Sequence, residues 1–195
     1  NDNLRNINST FTINAIGKHN VLNATASIIA SKLVGINNRH IKDALNKYIG
    51  VKRRFTNLGF KNLATIYDDY AHHPTEIKAT IDAAKLLKKD LIIVFQPHRY
   101  SRTEVLMSDF VKILSKIQNL ILLNTYSAGE KKLLGFTSKD LYLKIKKNNN
   151  TVIYINNNSK LNNMLMKYTE KERIIIFMGA GSITKLAHNF LEYNE

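Results

Sequence analysis

Cysteine is absent from this 195-residue chain, which removes disulfide frameworks, thiolate zinc sites and cysteine nucleophiles together. Proline occurs only at Pro74 and Pro97 while apolar residues make up 44% of the sequence, so neither a collagen-like repeat nor a disordered, low-complexity chain fits. Long apolar runs are lacking as well. Leu91 to Phe95 and Ile174 to Met178 are among the longest, far short of the ~20 residues that a membrane helix needs, so a soluble chain without membrane insertion is expected. No charged-then-apolar leader opens the sequence, and Asn1 to Thr10 is polar with no initiator Met, so the expectation is a fragment of a longer protein. Acidic residues are few, 15 against 29 basic ones, and the net charge of +14 invites a nucleic-acid-binding module. The kind of basic residue argues against it. Lys accounts for 22 of the 29 and Arg for 7, in a chain also crowded with Asn and Ile. These residues share A- and T-rich codons, so drift of a genome toward A and T explains the surface Lys, and no nucleic-acid partner is expected. Arg53, Arg54, Arg99 and Arg102 then stand out as sites where a planar guanidinium fork is needed.

Asn20 to Val34 carries apolar residues at Val21, Leu22, Ile28, Ile29 and Leu33, and Gly35 supplies a stop, which predicts a helix. Asn38 is expected to cap a second helix, in which Ile41, Ala44, Leu45 and Tyr48 recur until Gly50. A candidate hairpin through Asn57 to Asn62 follows. From Leu63 onward, strands predicted at Leu63 to Tyr67, Leu91 to Phe95, Leu120 to Leu123, Val152 to Ile155 and Ile174 to Met178 alternate with helices. The helices are predicted at Pro74 to Lys89, Thr103 to Ile117, Ser138 to Lys147, Ser159 to Thr169 and Ser182 to Glu192, with Pro74 at a first helical position and Ser138 as an N-cap. This alternation is the pattern of an α/β fold, a mostly parallel sheet with helices on both faces, preceded by a helical pair. Such sheets bind ligands at the carboxyl ends of their strands.

The loops at those ends hold Asp68 to His73, Gln96 to Arg102, Thr125 to Glu130 and Gly179 to Ser182. Asp68 and Asp69 have the oxygen acceptors for Mg2+ or a ribose, although a solvated turn residue and a helix cap would explain them equally. His72 and His73 are adjacent and diverge, so one His facing an acyl or phosphoryl group is more plausible than a shared metal, with packing over the Pro74 helix as the alternative. Arg99 and Arg102, three apart before the expected helix at Thr103, can both reach a carboxylate or phosphate. Gly179-Ala180-Gly181 permits close backbone approach or simply a tight turn. Asn20 and Asn23 have amides suited to a purine edge; capping accounts for Asn20 but not for Asn23.

Six blocks, Gly17 to Ala24, Gly50 to Phe55, Asp68 to Glu76, Phe95 to Thr103, Tyr126 to Glu130 and Met178 to Gly181, occur in the order found in one family. The chain resembles the UDP-N-acetylmuramate–L-alanine ligases, ATP-dependent Mur ligases of peptidoglycan synthesis. The resemblance covers residues 17–181 and departs at Ile16, where the family often has Pro. It implies that residues 1–50 end a central ATP-binding domain and that 51–195 are the Rossmann-like C-terminal domain. The UDP-sugar domain and the Gly-rich Lys-Ser/Thr phosphate loop lie outside this sequence. The implied cofactors are ATP and Mg2+, the substrates UDP-N-acetylmuramate and L-alanine, and the setting cytoplasmic, with no metal ligand assigned in this chain. By the same resemblance Asn23 meets the adenine with His19 and Asn20 beside it, Arg54 the ATP phosphates and Asp69 the ribose. Tyr70, His72, Arg99 and Arg102 face the amino acid, the last three as catalytic residues. Domain closure about Gly50 would complete the site. The Phe95 to Tyr100 block favours this branch over the murein tripeptide recycling ligases; a catalytically silent remnant is a further alternative.

Overall fold

The computed structural model describes residues 9–194, which form two units parting between Val51 and Lys52. In the first unit, α1 (Lys18–Leu33) and α2 (Asn38–Lys47) are the helical pair. At the end of α1 the Ile36 N–H donates to Ser31 O at 2.9 Å and Gly35 takes φ +87°, a left-handed stop that glycine adopts without steric cost. Two capping expectations are corrected. Asn37, not Asn38, caps α2 by accepting from the His40 N–H at 3.0 Å, while the Asn38 amide donates to Ser9 Oγ at 2.9 Å. Asn20 lies inside α1, whose N-cap is Gly17, and its amide reaches back to Ile16 O at 2.8 Å. It therefore satisfies a carbonyl before the helix rather than an orphan N–H within it.

The second unit is a six-stranded sheet of β1 (Thr56–Lys61), β2 (Ala64–Asp69), β3 (Asp90–Phe95), β4 (Asn119–Leu123), β5 (Ile153–Ile155) and β6 (Arg173–Met178). Their spatial order is β1-β2-β6-β3-β4-β5. β1 and β2 form an antiparallel hairpin, and every other pairing is parallel. Along the strands successive side chains divide between two cores. Ile93, Phe95, Leu120, Leu122, Ile174 and Ile176 face α3 (Pro74–Lys85), α4 (Tyr100–Leu114) and α5 (Ser138–Lys146). Ile92, Val94, Ile121, Leu123, Ile175 and Phe177 face α6 (Leu161–Met166) and α7 (Ile183–Glu192). Strands buried on both faces must be apolar at consecutive positions, which is why these segments are unbroken apolar runs.

Helix boundaries differ where capping intervenes. α4 starts at Tyr100 rather than Thr103, so Arg99 becomes its N-cap and Arg102 lies in its first turn. α5 is capped by Thr137, not Ser138, through a reciprocal pair with Asp140. α3 stops at Lys85 because Lys88 turns left-handed, with φ +53°. α6 is shorter than expected and follows a 3-10 turn at Asn158–Lys160.

Candidate active site

The sheet order sets β2, β6, β3 and β4 side by side, so the loops after their carboxyl ends are neighbours although they are far apart in sequence. Backbone hydrogen bonds join them. The Tyr126 N–H donates to Pro97 O at 2.8 Å, the Arg99 N–H to Tyr126 O at 2.9 Å, and the Gly179 N–H to Asp69 O at 2.9 Å. The Gly-Ala-Gly turn owes its glycines to this packing. A Cβ on Gly181 would lie 2.5 Å from Tyr126 Cγ, and one on Gly179 would lie 2.7 Å from Gln96 O at φ +151°. Arg53 fastens the same turn from the other side, donating to Gly179 O at 2.9 Å and stacking over Tyr70 at 4.6 Å.

The two aspartates are neither solvated turn residues nor caps of α3. Asp68, 1% exposed, accepts from the Thr184 hydroxyl at 3.0 and 3.1 Å and so ties β2 to α7. Burial pushes its carboxyl above the usual carboxylate range against Thr184, Arg53 and His188. Asp69, also buried, accepts from the Ala71 N–H at 2.7 Å and the Phe55 N–H at 2.8 Å. Burial likewise raises Asp69, opposed by those two N–H groups, Thr80 and Arg54. α3 is capped instead by His73, whose Nδ1 accepts from the Thr75 N–H at 3.2 Å, together with Glu76.

The adjacent histidines separate as their backbone directions require. His72 sets its Nδ1 2.9 Å from Tyr70 O and 3.4 Å from Glu76 Oε2, its ring edge-on to Tyr70 at 5.2 Å. A carbonyl accepts only, so Nδ1 carries a proton and Nε2 is the ring nitrogen that can offer a lone pair. The ring centroids of His72 and His98 are 6.0 Å apart. His98 stacks on Tyr126 at 5.5 Å and takes a hydrogen bond from Arg102 Nη1 on Nδ1 at 3.0 Å; Arg102 also reaches His98 O at 3.2 Å. A guanidinium donates only, so His98 is the neutral Nε2–H tautomer. Burial, Arg102, His72 and Arg99 all lower its pKa, and Glu130 opposes them.

The sequence marks neither His98 nor Glu130 as a site residue. Both lie inside the blocks that carry the resemblance, but their roles depend on which loops meet. Glu130 accepts the Tyr100 N–H at 2.8 Å, the Ser101 N–H at 3.1 Å and the Ser101 hydroxyl at 2.6 Å. The Ser101 hydroxyl and N–H, with Tyr100 and Arg99, hold it below the usual carboxylate range although burial opposes them. Arg54 is half exposed and pairs with Glu76 at 3.6 Å. Among the described residues, no carboxylate lies within ion-pairing distance of Arg99 or Arg102.

His19, Asn20 and Asn23 belong to the first unit, on α1, where the side chain of Asn23 is exposed and makes no hydrogen bond among the described residues. A free amide of this kind suits a purine edge. No group of three His, Cys, Asp or Glu side chains that could hold a metal ion occurs among the described residues. A cavity of about 500 Å³ lies at the opposite end of the sheet, among Lys85, Leu91, Ile113 and Lys116. None of the residues singled out above lines it.

Residues 53–181 match the family model described as Mur ligase, glutamate ligase domain. The chain is 42% identical over 184 residues to a UDP-N-acetylmuramate–L-alanine ligase of Hydrogenobaculum, covering 93% of this chain and 40% of that protein. It is 38% identical over 176 residues to the enzyme of the same name from Carboxydothermus hydrogenoformans, again covering 90% of this chain and 38% of the relative. The chain thus spans about two fifths of the length of these curated relatives. Among solved structures, UDP-N-acetylmuramate–alanine ligase from Thermotoga maritima superposes with a TM-score of 0.77 at 25% identity, over 93% of this chain and 39% of that one.

Proposed function

Because the chain belongs to the Mur ligase family, we propose that it is the C-terminal portion of an ATP-dependent ligase that joins L-alanine to UDP-N-acetylmuramate in cytoplasmic peptidoglycan synthesis. The observation that carries the reading is the cluster of Arg99, Arg102, His72 and His98 at neighbouring strand ends, with no carboxylate among the described residues within ion-pairing distance of either guanidinium. Such forks are free to take the carboxylate of an amino acid bidentately. Bound ATP supplies the phosphoryl group that activates the muramate carboxylate. Tyr70 and His72 face the amino end of the alanine, and His72 Nε2 takes the proton that its ammonium group must lose. His98, its Nδ1 occupied by Arg102, holds that guanidinium in place and offers Nε2–H as a donor. Arg54 meets phosphate oxygens, exchanging Glu76 for them. His19, Asn20 and Asn23 line the adenine end. Asp69 serves the ribose through a lone pair not used by Ala71, Phe55 and Thr80, and so adds to its work of fixing the backbone. Mg2+ would neutralise phosphate charge when bound, with no ligand to it assigned in this chain; residues 1–50 end the central domain and residues 51–195 are the C-terminal domain. Every reacting species is anionic, so this chain's contribution is position and positive charge.

The test is ATP-dependent phosphate release by the protein that carries this chain together with the upstream segments its relatives possess. Release that requires both UDP-N-acetylmuramate and L-alanine is expected; release indifferent to L-alanine overturns the reading. The 195-residue chain alone is expected to show none, since it contains no Gly-rich Lys-Ser/Thr loop to cradle phosphates.

A further inference from the structure

The N-terminus of α4 presents two arginines, Arg99 as N-cap and Arg102 in the first turn, at the end of the helix where the macrodipole is positive. Cations there are disfavoured, and the helix carries no acidic residue in its first turn to offset them. α3 and α5 solve the equivalent problem locally, with Glu76 and Asp140 at the third helical position of a capping box. In α4 that third position is Arg102 itself. The missing carboxylate arrives from 30 residues away: Glu130 bonds the first two N–H groups of the helix and the Ser101 hydroxyl. The chain after β4 is shaped to deliver it. Ala128 at φ +51° and Gly129 at φ +87° reverse the backbone, and the Glu130 N–H closes the turn on Ser127 O at 3.1 Å. Upstream, Tyr126 is zipped to Pro97 and Arg99. A non-glycine residue is held left-handed here, and such local strain persists only where the surroundings fix it.

We infer that Glu130 is a positioning residue for the amino-acid site, a carboxylate supplied across the sheet so that Arg102 can occupy the helix position a capping acid would take. Glu130 spends its oxygens on backbone N–H groups and Ser101, not on the guanidinium groups, so it stabilises the helix start while leaving both forks open to the substrate carboxylate. This rests on the assignment of L-alanine to the Arg pair.

In the full-length ligase, Glu130→Ala is expected to lower kcat/KM for L-alanine about tenfold, mainly through KM, with KM for ATP unchanged. Glu130→Gln, which keeps an acceptor oxygen for the two N–H groups, is expected to recover most of the loss. Hydrogen–deuterium exchange on the same proteins is expected to show faster exchange at residues 100–101 in Glu130→Ala than in wild type, and to be largely restored in Glu130→Gln. If the wild-type enzyme turns over L-alanine and Glu130→Ala leaves both its KM and that exchange unaltered, the inference fails while the functional reading stands. If kcat/KM falls equally for ATP and L-alanine, Glu130 is merely structural and the inference likewise fails. A wild-type enzyme without L-alanine-dependent turnover overturns the functional reading itself.

Discussion

A carboxylate held by an arginine fork meets two parallel N–H donors in one plane, and that geometry distinguishes Arg from Lys at equal charge. Arg99 and Arg102 survive in a chain where Lys outnumbers Arg by 22 to 7, so composition alone marked them as places where the fork matters. The structure adds that Arg102 is already oriented, with one nitrogen on His98, and that no carboxylate among the described residues neutralises either guanidinium. Substituting Arg102→Lys or Arg99→Lys in the full-length enzyme is expected to weaken L-alanine use by about 1.5–3 kcal/mol, roughly ten- to a hundredfold in kcat/KM, with ATP dependence little changed. Steady-state kinetics with L-alanine varied at saturating ATP measures this. Wild-type kcat/KM in both Lys variants would return the pair to ordinary surface charge.

Element by element, the helix starts differed most from the reading by periodicity, because an N-terminus is set by where a side chain can reach orphan N–H groups. Pro74 was correctly expected at a first helical position, but the capping work at α3 is done by His73 and Glu76. Glu76 accepts the N–H groups of His72 at 3.0 Å and His73 at 3.2 Å. Burial by itself would raise its pKa; those N–H groups, the His72 ring and Arg54 outweigh it and hold Glu76 below its ordinary value of 4.5. A carboxyl lowered on folding stabilises the native state above its unfolded pKa, and that stabilisation is lost as pH falls through the folded one. Glu76→Gln is therefore expected to cost about 1 kcal/mol near neutral pH, as loss of a capping carboxylate does. Urea unfolding of the 195-residue chain at pH 7 and below pH 4 should show that difference shrinking in acid. A difference constant over that range would remove the charge from the account.

For the molecule as a whole, the division at Val51 separates very unequal cores. Among the described residues of the first unit, Ile41 is the one buried hydrophobic, while Val21, Leu22 and Leu33 on α1 are all about half exposed. A 16-residue helix without a packed face is marginal in water, and the second unit has two full cores of its own. Residues 52–195 alone are thus expected to unfold cooperatively with Tm within about 4 °C of the 195-residue chain, a shift corresponding to roughly 1 kcal/mol at this size. Residues 1–51 alone should show little helical circular dichroism. Stable helix in that short piece, or loss of cooperative melting in the longer one, would contradict the argument.

What the sequence determined by itself was local. Apolar runs that alternate between two buried faces can only be strands of a covered sheet, and β2, β3, β4, β5 and β6 were legible for that reason, as were the Gly35 stop and the retained arginines. The positions of the strand-end loops were legible too, because a parallel sheet gathers them at its carboxyl edge. Tertiary structure alone decided that β6 lies between β2 and β3, which packs Gly181 against Tyr126, and that Asp68 and Asp69 are buried rather than a solvated turn residue and a helix cap. It also supplied α4 with a capping carboxylate from 30 residues away. Periodicity reports the face that a residue turns toward the core. It carries no record of which distant segment completes its hydrogen bonds, because that depends on strand order, and parallel strands are paired by long connections that no local pattern specifies.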